Sequence, residues 1–313
     1  MPTGVLLMTY GSPRDLDDVG AYMARVRGGR EPDATLLAEF RRRYAAIGMS
    51  PLIDITRAQA RALEIALGDD VRVAAGMRFS EPSVAAAVAD VISRGADRLI
   101  GLILSPQYSP ILMSGYVTAL RDAAGGLPWR CIEAWHLSPA FIDVLASRVR
   151  RALAAYSDAR RERVAVLLTA HSLPLRVVDR EPAYVEQLKA TARLVASAAG
   201  LPDTRWWFAY QSAGHSPEPW LKPDLLDVLP RLAAEGYRDV LVAPVQFLAD
   251  HLETLYDIDL AARDQALAAG FERFARVEAP NAAPDFIDAL ASIVRAELVF
   301  WDQAAAGPVW VGA

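Results

Sequence analysis

His171 is the residue of this sequence with the clearest potential for chemistry. Residues 164–174 read VAVLLTAHSLP, and the uncharged run rich in valine and leucine predicts a strand buried on both faces of a parallel sheet. Pro174 stops that strand, so His171 should lie at its carboxyl end, where open α/β sheets bind ligands. An imidazole there can accept a proton or coordinate a metal ion near neutral pH, whereas a structural histidine would simply bond a neighbouring loop.

Two carboxylates follow at helical spacing later in the chain. Residues 243–259 read APVQFLADHLETLYDID, in which a strand ends near Gln246 and a helix begins beside the same rim. Glu253 and Asp257 are four residues apart and share a helix face, which costs up to ~0.5 kcal/mol in a bare helix. That cost indicates a use, either a path for a cation or partner arginines. His251 lies off this face and is the weaker candidate.

A third group of polar side chains lies in the first half of the chain. Arg27 belongs to a glycine-containing stretch, RVRGGREP, that predicts a loop with guanidinium groups pointing outward. Arg43, Tyr44 and Ser50 follow at a helix end and in the next loop, which should bring them close together. Guanidinium groups are suited to bidentate pairing with carboxylates. The segment that follows the third strand at the same rim contains Tyr116, which either reaches a ligand or packs in an interface.

Aromatic residues concentrate in residues 206–220, WWFAYQSAGHSPEPW. Such clusters belong more often to a core than to a cofactor site, although a flat macrocycle would need walls of this kind. His215 lies in the turn-forming part of this stretch, and we expect it to be exposed.

Composition narrows the class of protein. The chain has 313 residues, of which 53% are hydrophobic, so it is long enough to form two domains. Its net charge of -5 argues against a protein that binds nucleic acid, which would need a basic face. The apolar run in its first residues is too short for a signal peptide or a membrane span, so we expect a cytoplasmic protein. We also expect a monomer. Cys131 is the only cysteine, which excludes an intrachain disulfide, a thiolate zinc site and a cysteine-held iron–sulfur cluster within one chain.

Strand-length apolar runs alternate with amphipathic segments along the whole chain. This alternation predicts parallel sheets with helices on both faces. Neither GxGxxG nor GxxxxGK[ST] is present, so the fold is not a nucleotide binder by motif. The predicted strands lie near residues 4–9, 71–77, 98–104, 130–135, 164–170, 205–210, 238–245 and 272–278.

Internal repetition divides these strands into two sets of four. VLLMTYGSP at 5–13 aligns without a gap on VLLTAHSLP at 166–174, which sets Tyr10 opposite His171, and P-x-F-I-D-x-L occurs at both Pro139 and Pro284. We therefore predict a Rossmann-like α/β domain over residues 1–140 and a similar one over 141–282, with helix 283–303 packing back on the first. A cleft between the two domains would receive Tyr10 and His171 from its two sides.

Three motifs resemble those of ferrochelatases, the enzymes that insert ferrous iron into porphyrins. They are AHSLP at 170–174, YQSAG-x-x-P-x-P-W-L at 210–221 and DHLETLYDID at 250–259, in family order. The resemblance implies a chelatase-type fold, with His171 and Glu253 as the metal-site pair and ferrous iron as a substrate, with no retained cofactor. TYGSP at 9–13 is similar to the bacterial coproporphyrin branch, in which the Tyr10 position can ligate iron in the product. By the same resemblance, the porphyrin carboxylates would contact Arg27, Arg43, Tyr44, Ser50 and Tyr116.

The sequence departs from the family pattern at several positions. Ala261 stands where the acidic row often continues, Gln107 stands where a histidine is common, and the loop before Ser50 is one residue short. The polar, arginine-rich segment 12–30 favours coproporphyrin III over protoporphyrin IX, whose enzymes tend to present an apolar lip. A tetrapyrrole carrier with His171 or Tyr10 as axial ligand stays open, although a carrier needs no carboxylates beside its metal. A metal-dependent hydrolase using His171, His251 and Glu253 lacks a recognisable ligand spacing.

Overall fold

Two parallel sheets of four strands each form the framework of the chain. The structure is a computed structural model that describes residues 2–214 and 217–305, with side chains as far as residue 303. His215 lies outside the described residues. The first sheet has the order β2-β1-β3-β4 and the second has the order β6-β5-β7-β8. The same order in both halves confirms the predicted pair of similar α/β units.

The first half carries its helices on both faces of the first sheet. Strands β1, β2 and β3 are buried along most of their length, as expected for a parallel sheet covered on both sides, whereas edge strand β4 is buried only at Ile132. Its elements are β1 (Thr3–Thr9), α1 (Val19–Val26), α2 (Ala34–Ala46), α3 (Leu52–Leu67), β2 (Val71–Met77), α4 (Val84–Ser93), β3 (Arg98–Ile103), α5 (Pro110–Ala124) and β4 (Trp129–Ile132).

The second half repeats the arrangement with one unusual helix. After β7 the chain forms a π-helix rather than an α-helix, and Glu253 is its first residue. The elements are α6 (Pro139–Ala154), α7 (Asp158–Arg161), β5 (Val164–His171), α8 (Leu175–Val178), α9 (Pro182–Ala199), β6 (Trp206–Gln211), α10 (Leu225–Ala234), β7 (Asp239–Pro244), the π-helix (Glu253–Ala262), α11 (Arg263–Ala269), β8 (Arg273–Arg276) and α12 (Pro284–Ala305).

One hydrophobic core runs through both halves. One face of each sheet contributes to it, including Val5 and Ile100 from the first and Val166 and Leu241 from the second. Helices α6 and α12 supply the residues between them, among which Phe141 is fully buried. Separate clusters cover the outer face of each sheet. The two halves therefore share one large cluster of buried apolar residues.

Helix α12 returns to the first half of the chain. It packs against α3 and α6. Its last turns are held by ion pairs of Arg98 with Asp302 at 2.5 Å and of Arg130 with Glu297 at 3.2 Å. No helix within the described residues is both long and apolar enough to cross a bilayer.

Helix α9 holds the loop that leads from β3 to α5. The Gln187 side chain accepts from the Tyr108 N–H at 2.8 Å and donates to the Tyr108 carbonyl at 3.2 Å. Glu181 accepts from the Ser109 hydroxyl and from the N–H of Ile111, at the amino end of α5. The second half thereby fixes the loop before α5, the helix that carries the buried Tyr116.

Candidate active site

His171 and Glu253 form the central contact of the site. The Nδ1 atom of His171 lies 2.7 Å from Oε2 of Glu253, and the two side chains are 29% and 30% exposed. His171 is the last residue of β5, and its backbone N–H donates to the Gln246 side chain, which in turn donates to Tyr184. The strand end, the loop after β7 and the π-helix thus set this pair together.

The environment pushes the two pKa values apart. Burial works against charge on His171, but the Glu253 carboxylate outweighs burial, so the pKa of His171 is raised above its ordinary value. Burial likewise opposes charge on Glu253, yet His171, with help from His251, lowers its pKa to about 2. Without a ligand the pair therefore favours imidazolium and carboxylate, a proton-holding arrangement open to solvent on one side.

Asp257 lies on the same face of the π-helix as Glu253. Burial and the nearby Glu253 carboxylate raise the pKa of Asp257, although Ser212 and Arg43 oppose the rise. Ser212 lies beside both carboxylates with its backbone at φ 56, a left-handed conformation that non-glycine residues seldom adopt. The motif YQSAG contained this serine, but its spacing alone gave no reason to select it.

Arg43 crosses from the first half to this acidic face. Its guanidinium pairs with Glu39 at 2.8 Å on its own helix and with Asp257 at 3.4 Å on the π-helix. It also lies 5.3 Å from the ring centroid of Tyr256. The sequence analysis offered two explanations for the paired carboxylates, a cation path or partner arginines, and Arg43 is such a partner. In the absence of a ligand, Arg43 is therefore already paired with carboxylates of the protein.

Four tyrosines of the first half lie together, three of them within electrostatic reach of Glu253. Tyr22, which the sequence analysis did not select, is buried, donates its hydroxyl to the Gly11 carbonyl at 3.0 Å, and has its pKa raised by burial and by the other three tyrosines and Glu253. Burial also raises the pKa of each of the other three tyrosines. One of the four side chains is open to a ligand, with 42% of its surface exposed, and the other three are buried. The four are Tyr10, Tyr22, Tyr44 and Tyr116, with Tyr10 the open one.

The remaining predicted anchors lie at the edge of this group. Arg27 directly follows the last residue of α1 and is exposed, and within the described residues no carboxylate pairs with it. Ser50 is half-buried in the turn before α3, where its hydroxyl accepts from the Leu52 N–H at 3.4 Å. Arg25, from the same arginine-rich segment, is occupied by the Phe79 carbonyl and Asp18. The structure thus brings Tyr10 and Tyr44 near Glu253 and Arg43 onto Asp257, places Tyr116 beside Tyr10, and leaves Arg27 available at the surface.

Arg78 is a site residue that the sequence analysis missed. It follows β2 at the rim of the first sheet, and its guanidinium lies 5.4 Å from the ring centroid of Tyr116 and 4.8 Å from that of Phe79. The only signal in the sequence was its position directly after a buried strand, which many arginines share. Arg78 and Glu253 act on the Tyr10 hydroxyl with opposite signs.

The aromatic residues of β6 do not line this site. Trp207 packs against Tyr237, and Phe208 packs against Tyr210. Trp206, Phe208 and Tyr210 instead line a groove of about 900 Å³ between α9 and edge strand β6. None of the predicted site residues contributes to that groove. Of the two interpretations of this aromatic cluster, packing within its own half therefore fits the β6 residues better than a wall of the ligand site.

The arrangement suits a flat ligand held between two unlike walls. One wall carries a base and two carboxylates, His171, Glu253 and Asp257, and the other carries phenolic rings with Tyr10 exposed. One imidazole and one carboxylate suit a ferrous ion without enclosing it, because a fully closed ligand set would retain the metal. Such a site can accept protons from a bound molecule and pass a divalent cation to it.

Comparison with known proteins shows the family of the chain. The profile of the Ferrochelatase family matches residues 2–298. A protein of Deinococcus radiodurans named Ferrochelatase is 38% identical over 94% of this chain and 95% of its own length. A protein of Bacillus subtilis named Coproporphyrin III ferrochelatase is 35% identical over 94% of this chain and 97% of its own length.

Solved structures support the fold at lower identity. SirB from Bacillus subtilis with Fe3+ covers 94% of this chain and 95% of its own, with a TM-score of 0.56 at 13% identity. CbiX, described as the terminal enzyme for sirohaem biosynthesis in denitrifying bacteria, covers 95% of this chain and 99% of its own, with a TM-score of 0.55 at 15% identity. With its family profile, its relatives and its duplicated sheets in agreement, the chain belongs to the ferrochelatase family.

Proposed function

We propose that this protein inserts ferrous iron into coproporphyrin III to give coprohaem, a step of haem biosynthesis. The observation that carries the proposal is the His171–Glu253 pair at 2.7 Å facing the exposed Tyr10. The macrocycle would lie between them, with the metal delivered from the side of the pair. Tyr10, on the opposite side, would ligate iron in the product.

The reaction requires two pyrrole N–H protons to leave as the iron enters. His171, after its resting proton has passed to water, accepts them one at a time, and the Glu253 carboxylate stabilises each imidazolium until that proton also passes to water. Glu253 and His171 also offer one oxygen and one nitrogen ligand to the incoming ferrous ion. Asp257 lies four residues further along the same helix face and, once Arg43 has released it, offers the ion a further carboxylate. Iron is a substrate in this scheme, and no cofactor is retained.

The cationic and hydroxyl groups at the rim of the site favour a porphyrin with four propionates. Arg27 is exposed, Ser50 is half-buried, and Arg43 can exchange its protein carboxylates for those of the substrate, so these three groups exceed what two propionates need. The other two predicted anchors, Tyr44 and Tyr116, are buried and are not counted among these open groups. A desolvated charge-assisted hydrogen bond contributes roughly 1.5 to 3 kcal/mol, so one unmatched pair changes affinity about tenfold to a hundredfold. We expect kcat/KM to favour coproporphyrin III over protoporphyrin IX by at least that factor.

An anaerobic assay tests both the activity and the substrate. Purified protein is mixed with ferrous iron and with the two porphyrins in competition, and the absorption spectrum of each product is followed. Iron insertion into coproporphyrin III at the higher efficiency supports the proposal. Equal or greater efficiency with protoporphyrin IX overturns the substrate choice, and binding of porphyrin without metallation identifies a carrier instead.

The proposed enzyme is a cytoplasmic monomer. Both walls of the site come from one chain, since Tyr10 and Arg43 belong to the first half and His171 and Glu253 to the second. A second copy is therefore not needed to complete the site. Sedimentation analysis of the purified protein and fractionation of cells check the two statements separately, and an obligate dimer or a membrane-bound fraction would contradict them.

A further inference from the structure

Arg78 is a guanidinium at the rim of the site with no carboxylate to neutralise it. Its Nη1 atom donates to the Leu112 carbonyl at 3.3 Å, and within the described part of the chain no ion pair is formed. It is half-buried. By contrast, Arg43 and Arg25 are both paired with acidic side chains. Retaining an uncompensated, partly desolvated cation is costly unless a negative charge arrives, because burial disfavours the charged form.

The fold provides a specific place for this guanidinium. It lies between the rings of Phe79 and Tyr116 and flat against Gly115 of α5. A Cβ added at Gly115 would overlap the guanidinium, so the absence of a side chain there is what admits Arg78. The backbone of Arg78 is fixed as well, since its N–H donates to the Thr9 carbonyl at 2.9 Å, next to Tyr10. The charge is therefore held in one position.

That position is on the Tyr10 side of the site. The phenol of Tyr10 has its pKa raised by burial, lowered by Arg78 and raised again by Glu253. Tyr10 thus lies within electrostatic reach of both a cation on its own wall and an anion on the facing wall. If the macrocycle occupies the space between the walls, Arg78 faces the surface of the ring opposite to the base.

We propose that Arg78 stabilises the negative charge that develops on the pyrrole nitrogens as protons leave toward His171, and that it disfavours entry of ferrous iron from the Tyr10 side. This inference rests on the proposed function. The ring loses two protons to His171 and onward to water, and gains one divalent cation, so charge is balanced without any change of oxidation state. A preorganised charge aimed at developing charge acts on the rate rather than on binding.

Substitution of Arg78 separates this role from its alternatives. R78Q should lower kcat for iron insertion at least about tenfold while the KM for porphyrin stays within about threefold, since a direct donor is worth a hundredfold or more and this charge acts through space. R78K keeps the charge and should retain most of kcat. The matched control is R121Q, which removes an exposed arginine that pairs with Asp122 on α5.

Other results would contradict the inference. A rise in KM alone would make Arg78 an anchor for a peripheral carboxylate. An unchanged kcat in R78Q would show that the charge of Arg78 does not contribute to the rate. Equal losses of kcat in R78Q and R78K at unchanged melting temperature would show the same. If R78Q does not fold, G115A displaces the guanidinium without removing it: loss of kcat in G115A with retention in R78K supports the inference, and the reverse overturns it. Wild-type protein that inserts no iron refutes the proposed function itself, whereas wild-type-like R78Q refutes only this inference.

Discussion

The contact between His171 and Glu253 combines two tasks in one pair of side chains. Alone, a half-buried imidazole would lose basicity, and a half-buried carboxylate would tend to protonate. Together they reverse both tendencies, with the pKa of Glu253 lowered to about 2 and that of His171 raised. The pair is therefore charged and ready to exchange its proton for a metal ion.

Replacing Glu253 by glutamine should lower the pKa of His171. The carboxylate is the cause of the rise, so its loss leaves burial as the dominant influence, and the imidazole gives up its proton at lower pH than in the wild type. NMR titration of the imidazole measures this directly, and iron insertion should fall sharply in the same variant. Glu278→Gln, which changes an exposed glutamate, is the control. An unshifted imidazole titration would show that the 2.7 Å contact does not govern the base.

Tyr10→Phe should change the absorption spectrum of bound ferric product more than it changes the rate. The hydroxyl is the one group of the tyrosine cluster open to a ligand, and its removal leaves the ring in place against Phe79. The spectrum of the product complex is compared with that of the wild type at matched occupancy. Identical spectra would remove Tyr10 as a ligand.

Some residues of the site could be predicted from the sequence and others could not. His171 and Glu253 stand in motifs at strand and helix ends, so position and residue type together selected them. Tyr22 and Arg78 stand in no motif, and their roles depend on contacts with residues 11 or more positions away, Gly11 and Tyr116 among them. Such convergence is a property of the fold, which single-sequence spacing does not encode.

At the scale of elements, the strands were predicted closely and the helix of the site was not. All eight observed strands fall within or next to the predicted ranges, because strands of a parallel sheet are short, predominantly apolar runs. The segment from Glu253 was predicted as an ordinary helix, but it is a π-helix of ten residues. Helical periodicity barely distinguishes the two forms over such a length, and π-helices are rare and concentrated at functional sites. The wider helix still keeps Glu253 and Asp257 on one face.

The ion pair between α6 and α12 should make stability depend on acid pH. Arg148 is nearly buried and pairs with Asp285 at 2.7 Å, which lowers the pKa of Asp285. Asp285→Asn should reduce the free energy of unfolding by about 1 to 2 kcal/mol at neutral pH, below the value for a fully buried pair because Asp285 is itself half-exposed. A depressed carboxyl pKa stabilises fully above the unfolded value of about 3.9 and is lost as pH falls through the folded value.

Urea unfolding of both proteins across pH 3 to 7 measures this effect. The difference between wild type and Asp285→Asn should be constant from about pH 5 upward and should shrink toward zero in stronger acid. Asp288→Asn, at an exposed position on the next turn of α12, controls for the loss of a negative charge near the helix start. A difference that persists unchanged at low pH would assign the effect to packing.

At the scale of the whole molecule, the two halves are similar in topology but not independent in structure. They share one core, α12 joins both, and α9 holds the loop that precedes α5. Arg43 and Asp257 add a contact between the walls of the site. The repeat in the sequence predicted two units and a cleft, but it carried no information on how firmly they are joined, since that depends on side chains such as Gln187 that have no counterpart in the repeated motifs.

We therefore expect the chain to unfold in a single transition. Separating the halves would expose core residues such as Val5 and Val166 together, so a state with one half folded loses much of the burial that stabilises it. Urea transitions followed by far-ultraviolet circular dichroism and by tryptophan fluorescence should coincide. Gln187→Ala leaves the partly buried Tyr108 N–H and carbonyl without partners and should shift both curves equally, by about 1 to 3 kcal/mol. Curves that separate in either protein would mean that the halves are autonomous, and the cleft would then be a mobile joint between them.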